Sequence, residues 1–166
     1  IGCKVDVVTD KKTLAAKYNQ LGGFRVDVDL KHNHFVPTCC LSVKADIFQK
    51  VGTFDSRLES GGDYEFGNRV YRAGLKQVYT DTVTLKHPAR WKYRSLMNKS
   101  KRVARGICQL AFHYPDRFWS RYLRYFSLNR HKPKNPLVII REAQLANIPL
   151  SFWEAIVLSV FHVPLT

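Results

Sequence analysis

Acidic residues are almost missing from the middle of this chain. Residues 86–134 carry 14 Lys/Arg against Asp116 alone, whereas residues 1–85 are near balance, with 12 basic and 10 acidic residues. The net charge of +14 therefore comes almost entirely from one block. A one-signed block of this kind speaks about a partner more than about the fold. Cysteine is also sparse. Cys3, Cys39, Cys40 and Cys108 form no C-x-x-C pair, and four cysteines in 166 residues do not make a disulfide scaffold. Reduced thiols and a cytoplasmic setting are expected. The stretch "HNHFVPTCC" brings His32 and His34 near Cys39 and Cys40, but adjacent cysteines point to opposite sides of an extended chain. They read as small buried residues beside a loop, not as a zinc site.

Low-complexity runs and internal repeats are absent. The chain begins at Ile1 without an initiator methionine, and "IGCKVDVV" reads as a buried strand instead of a basic leader followed by an apolar run. No signal peptide is read there, and the start implies processing or a piece of a longer protein. The one long apolar run, Ile148 to Leu165, is broken by Glu154 and His162. A spanning helix needs ~20 apolar residues. An interfacial helix or a hairpin packed on the domain is expected instead, with a plain core helix equally compatible.

What is present fits a globular protein of one-domain size, 45% apolar and 24% charged. "CKVDVVT" predicts a strand, and "KKTLAAKYNQL" a helix stopped by Gly22 and Gly23. "FRVDVDL" alternates and predicts a second strand. Its Asp27 and Asp29 have D-x-D spacing, read as chance alternation. "FVPTCCLSVK" is expected to be extended around Pro37. "ADIFQKVG" predicts a short helix with Asp46 as a cap and Gly52 at its end. "LKQVYTDTVTLKH" predicts a strand pair or one bent strand. Two basic helices are expected, "RWKYRSLMNKSKRVARGICQLAFHYP" closed by Pro115, then "DRFWSRYLRYFSLNRHK". "PKNP" is a linker to the apolar tail.

The stretch "ESGGDYEFGNRVYRAGLK" puts two carboxylates, Asp63 and Glu65, just behind Gly61 and Gly62. Phe66, Val70 and Ala73 then recur at helical spacing, and Gly74 ends the run. An acidic residue in a first helical turn caps free N–H groups and is favoured by the helix dipole. A carboxylate held there can also take a proton from a substrate.

The order of three motifs decides between these uses. "LSVKADIFQKVGTFDSRL", then "GGDYEFGNRVYRAG", then "VYTDTVTLKH" resembles the C-terminal, acceptor-side half of a family-2 glycosyltransferase of the GT-A fold, over residues 39–87. The fold implied is α/β, a partial GT-A (Rossmann-like) sheet with C-terminal basic and apolar helices. Its expected segments are residues 1–90 for the catalytic half, 91–134 for the basic helices and 135–166 for the apolar tail.

The resemblance implies inverting transfer of a sugar from a nucleotide-sugar donor to a glycan or lipid-linked acceptor. Asp63 takes the place of the general base and Glu65 that of an alternate base. Gly61 and Gly62 let the acceptor approach closely. Arg69 matches the family's arginine, read as a salt bridge under the site in preference to a phosphate contact. His87 matches a histidine that helps hold a divalent metal, Mn²⁺ or Mg²⁺, on the donor diphosphate. Lys99, Arg102 and Arg105 lie within reach of that diphosphate. The family's nucleotide-binding N-terminal half has no counterpart in the chain, so a missing half is an expected partner. The basic block followed by a Trp-containing tail favours a membrane surface over nucleic acid, for which no motif is present. The rival reading is a non-catalytic basic module that docks on membrane or nucleic acid.

Overall fold

The computed structural model describes residues 1–127 and 132–160. It is a mixed α/β structure built on a small parallel sheet, compatible with a partial Rossmann-like domain. Strand β1 (Gly2–Val8) pairs in parallel with β2 (Tyr79–Pro88). Parallel strands cannot be joined by a tight turn. Here the crossover holds four helices: α1 (Leu14–Leu21), α2 (Val26–Asn33), α3 (Ala45–Val51) and α4 (Gly62–Arg72). After β2 come α5 (Tyr93–His113), α6 (Pro115–Tyr125), α7 (Pro136–Leu145) and α8 (Phe152–Val160).

The expected bent strand is β2. Cys3 faces Thr80 but Lys4 faces Thr84, so residues 81–83 bulge out of the ladder. Cys3, Val5, Val26, Val36 and Cys40 form the core beneath the sheet, with Phe24, Leu30, Leu41 and Tyr79 at its margin. All four cysteines are free, and burial pushes the Cys40 thiol up to about 12.

Three expectations need correction. "FRVDVDL" is not a strand; it forms most of α2. Alternation of Val26, Val28 and Leu30 suits a strand, but only Val26 is fully buried, and local helix chemistry prevails. Asp27 and Asp29 lie in the first turn, Lys31 and His32 in the last, and Asn33 Nδ2 donates to Asp29 Oδ1 at 3.1 Å. The helix ends at His34 in the left-handed conformation. Burial raises the Asp29 carboxyl above its ordinary range. The stretch after Pro37 is likewise not simply extended: Thr38–Cys40 make a short 3-10 turn before Leu41 bridges Gly2. Asp46 sits inside the first turn of α3 beside the capping residue Lys44, and pairs with Lys50 at 3.0 Å.

Helix α4 lies close against residues 34–35. A Cβ on Gly67 would stand 2.5 Å from the His34 carbonyl oxygen and 2.7 Å from Phe35 Cα, so only glycine permits that approach. Pro115 both follows α5 and opens α6 at its first turn, where its missing N–H costs nothing.

The tail is a hairpin packed on α1. Ile139, Ala155 and Leu158 are buried against Leu14, Tyr18 and Leu21, and Lys17 pairs with Glu154 at 2.7 Å. No described helix is long and apolar enough to cross a membrane. His162, Pro164 and Leu165 of the apolar run, and residues 128–131 of the second basic stretch, lie outside the described residues.

Candidate functional site

The site is assembled where the start of α4 meets α5. The chain enters α4 through Glu59, Ser60 and Gly61. Gly61 has φ 81°, a left-handed conformation natural to glycine. A Cβ on it would also lie 2.8 Å from Leu110 Cδ1. The space beside Gly61 is thus taken by α5, whereas a Cβ on Gly62 would meet nothing within 4 Å. Of the two glycines expected to admit a ligand, Gly62 faces open space and Gly61 serves the turn.

Helix α5 clasps this entry loop. Gly106 lets the Ser60 backbone come close enough that a Cβ there would stand 2.4 Å from the Ser60 carbonyl oxygen. Arg102 Nη1 donates to Ser60 Oγ at 2.9 Å. Arg105 holds the Glu59 carboxylate at 2.6 and 2.7 Å, drawing its pKa below the ordinary range, and Gln109 Oε1 accepts from the Glu59 N–H.

Asp63 sits half-buried in the first turn. Its Oδ2 accepts from the Thr38 N–H at 3.1 Å and the Thr38 hydroxyl at 3.2 Å, and its Oδ1 accepts from the Tyr64 N–H at 2.9 Å. Three donors therefore fix its orientation, while a carboxylate has about four lone-pair positions. Asp63 also borders a cleft of about 190 Å³ lined by Val36, Leu41, Ile47, Phe66 and Val70, with Lys44 and Gln77 among its polar walls.

Glu65, two residues on, is in a different environment. It is 0% exposed, and both of its oxygens are claimed. Arg69 Nε donates to them at 3.0 and 2.8 Å, and Arg117 Nη2 donates to Oε1 at 2.9 Å. Arg69 continues to the carbonyls of Val51 and Thr53. Glu65 is thus an internal tie between α4, the end of α3 and α6. Its carboxylate is withdrawn from solvent and committed to these two arginines, unlike that of Asp63 on the cleft border. The salt bridge expected of Arg69 is what the structure contains.

A second tie was not anticipated. Asp55 accepts from Arg57 at 2.8 to 3.1 Å and from the Tyr114 hydroxyl at 2.6 Å. The Arg57 contact, then Tyr114, holds its carboxyl far below the usual range. Thr38, Ser60, Asp55 and Arg117 carried no local sequence signal for these roles. The exception is Glu65 with Arg69, whose four-residue spacing marks a helical ion pair.

Lys99 stands apart from these pairings. It is half-buried on α5, near Arg90, Arg102 and Cys39, and among the described residues it has no hydrogen bond or ion pair. Burial first, and the two guanidinium groups second, lower its pKa to about 8.

His87 lies on β2 opposite Val7. Its ring is 5.1 Å from that of Phe24, and its Nδ1 is 3.0 Å from the Pro88 carbonyl oxygen. No described contact brings it to Asp63. Among the described residues no group of three or more His, Cys, Asp or Glu is placed to hold a metal ion.

No family model matches the chain, and no solved structure matches it. Over 98 residues it is 30% identical to Glycosyltransferase AglE of Haloferax volcanii, a match covering 59% of this chain and 32% of that protein. The chain thus spans about a third of the length of the curated relative it matches.

Proposed function

We propose that the chain is the acceptor-side part of an inverting glycosyltransferase of the family-2, GT-A kind, with Asp63 as general base. The observation that carries this reading is the position of Asp63: in the first turn of α4, oriented by Thr38 and Tyr64, on the border of a cleft and behind the open flank of Gly62. In the reaction proposed, Asp63 accepts the proton of an acceptor hydroxyl. The freed oxygen attacks the anomeric carbon of a nucleotide-linked sugar. The bond from that carbon to the diphosphate breaks, and the nucleoside diphosphate leaves with the electron pair. Glu65, Arg69 and Arg117 hold the helix that presents the base. A divalent metal on the donor diphosphate belongs to the same reading, and His87 would be this chain's ligand to it.

The test uses the longest natural chain that carries this segment, because the match covers only 32% of the relative. Transfer from a panel of UDP-, GDP- and dTDP-sugars is measured for wild type and Asp63→Asn. The expected loss is at least 10²-fold in kcat, in line with removal of a general base, with donor binding unchanged. A variant that keeps its rate refutes the base assignment.

A specific observation favours a second role, peripheral docking on an anionic membrane. Trp119 and Leu123 on α6, and Phe126 at its C-cap, are exposed at helical spacing. On α8, Trp153 is 75% exposed and Val160 65%, although Ala155 and Leu158 on the other face are buried. A helix apolar on both faces has a second surface to cover. Aromatic residues beside a block of charge +13 match a bilayer with acidic headgroups. The chain is expected to float with phosphatidylserine vesicles and not with phosphatidylcholine vesicles, and the double variant Trp119→Ser/Trp153→Ser to float several-fold less. Equal flotation with both lipids, or an unaffected variant, rejects this role.

A further inference from the structure

The two oxygens of Asp63 are not equivalent. Oδ2 accepts from both the N–H and the hydroxyl of Thr38, at 3.1 and 3.2 Å. Among the described residues Oδ1 accepts from the Tyr64 N–H alone, at 2.9 Å. A carboxylate oxygen has about two lone-pair positions. Those of Oδ2 are both used, and Oδ1 keeps one open. The two partners also differ in kind. Tyr64 follows Asp63 in the chain, so its N–H moves with the carboxylate. Thr38 is 25 residues away and ties the carboxylate to another part of the fold.

That part is firmly seated. Pro37 sets the entry to the Thr38–Cys40 turn with φ −56°. The Cys40 N–H donates to the Pro37 carbonyl at 3.0 Å, and the Cys40 thiol donates to the same oxygen at 3.4 Å. Val36 and Cys40, on either side of Thr38, are buried in the core beneath the sheet, and Leu41 bridges Gly2. Thr38 itself is exposed on the turn. Core residues hold its backbone, and its two donors are left to face Asp63.

We propose that Thr38 is a positioning residue for the base: by occupying Oδ2 it assigns the proton transfer to Oδ1. This rests on the reading of Asp63 as general base. When Asp63 acts, the O–H bond of the acceptor breaks and its electron pair stays on the attacking oxygen. A new O–H bond forms on the open position of Oδ1, which still accepts from Tyr64. Oδ2 becomes the carbonyl oxygen of the neutral acid. A carbonyl oxygen has two lone pairs, so both Thr38 donors remain satisfied and nothing has to turn. A proton placed on Oδ2 instead would face two donors, and one hydrogen bond would be lost. Donors fixed before a reaction cost no reorganisation during it.

The experiment compares Thr38→Val and Thr38→Ser in the transfer assay given for Asp63→Asn. Valine keeps the shape of threonine and the backbone N–H but removes the hydroxyl. Thr38→Val is expected to lower kcat about 10-fold, the scale of one hydrogen bond to a charged group, with the acceptor KM within about twofold. Thr38→Ser restores the donor and is expected to recover most of the lost kcat. A merely structural role would change the amount of folded enzyme or KM, and serine would not restore kcat. An unchanged kcat in Thr38→Val, or a loss that serine does not rescue, overturns the proposal. Asp63→Asn separates it from the reading beneath it. If that variant keeps its rate, Asp63 is not the base and both fall. If it loses its rate while Thr38→Val does not, the positioning role alone falls. A second measurement needs no substrate. On this chain, Thr38→Val is expected to lower the Tm less in an Asp63→Ala background than in wild type, because the partner of the hydroxyl is already gone. Equal losses in both backgrounds overturn the contact on which the proposal stands.

Discussion

The two sides of the α4–α5–α6 junction treat charge in opposite ways. Toward α6, carboxylates are enclosed and satisfied: Glu65 by Arg69 and Arg117, Asp55 by Arg57 and Tyr114. Toward the start of α5, Lys99 is enclosed and unsatisfied among the described residues, with Arg90 and Arg102 adding to its charge. The first arrangement fixes helices relative to one another. The second leaves Lys99 with a burial cost that no described anion offsets.

The largest effect that would break this contrast comes from Glu65. Glu65→Ala removes the anion from beneath two arginines whose side chains are only 25% and 16% exposed. Breaking a buried pair by removing one member costs about 3–5 kcal/mol. A urea melt should show a loss of that size, and a loss below ~1 kcal/mol would mean that Glu65 is not the tie described here. A smaller effect of opposite sign is expected at Lys99. Its folded pKa of about 8 lies below the ~10.4 of an unfolded lysine, so the unfolded chain holds that proton more tightly. The penalty is therefore complete below about pH 8 and is relieved as pH rises toward ~10.4. Lys99→Met should melt a few degrees above wild type at pH 7, and this margin should close across that window. The charged and titratable groups facing Lys99 are Arg90, Arg102 and Cys39. A variant that melts lower than wild type at pH 7 would show that Lys99 has a stabilising partner.

Much of the fold was legible because its signals are local. Gly52 and Gly74 end α3 and α4 as their spacing predicts, both with positive φ. Pro115 separates two helices, and the amphipathic pattern of α5 survives its basic coat. "FRVDVDL" misled because period-two alternation outweighed the weaker signs of a short helix, acidic residues first and basic residues last. The site was legible in part for the same reason. The glycines before Asp63 mark the helix start at which it stands. Glu65, only two positions away, looked equivalent in sequence, because the direction in which a carboxylate points depends on α6, which lies some fifty residues on. The isolation of Lys99 among its basic neighbours is likewise invisible in a string of Lys and Arg. It follows from which of them finds Glu59 or Ser60, and that is settled by packing across Gly106.

The pairing of β1 with β2 has a consequence for how the chain comes into being. During synthesis, Gly2–Val8 leaves the ribosome well before the strand that will hydrogen-bond to it, Tyr79–Pro88, which is made only after four helices have passed. For that interval β1 lacks β2, and its valines and Cys3 lack the part of their core that comes later in the chain. Contacts between residues so far apart in sequence are slow to form, and unpaired apolar strands are the segments that aggregate. The sheet is therefore expected to close late, and the α1–α4 crossover serves as the spacer whose own collapse brings the two strands within reach.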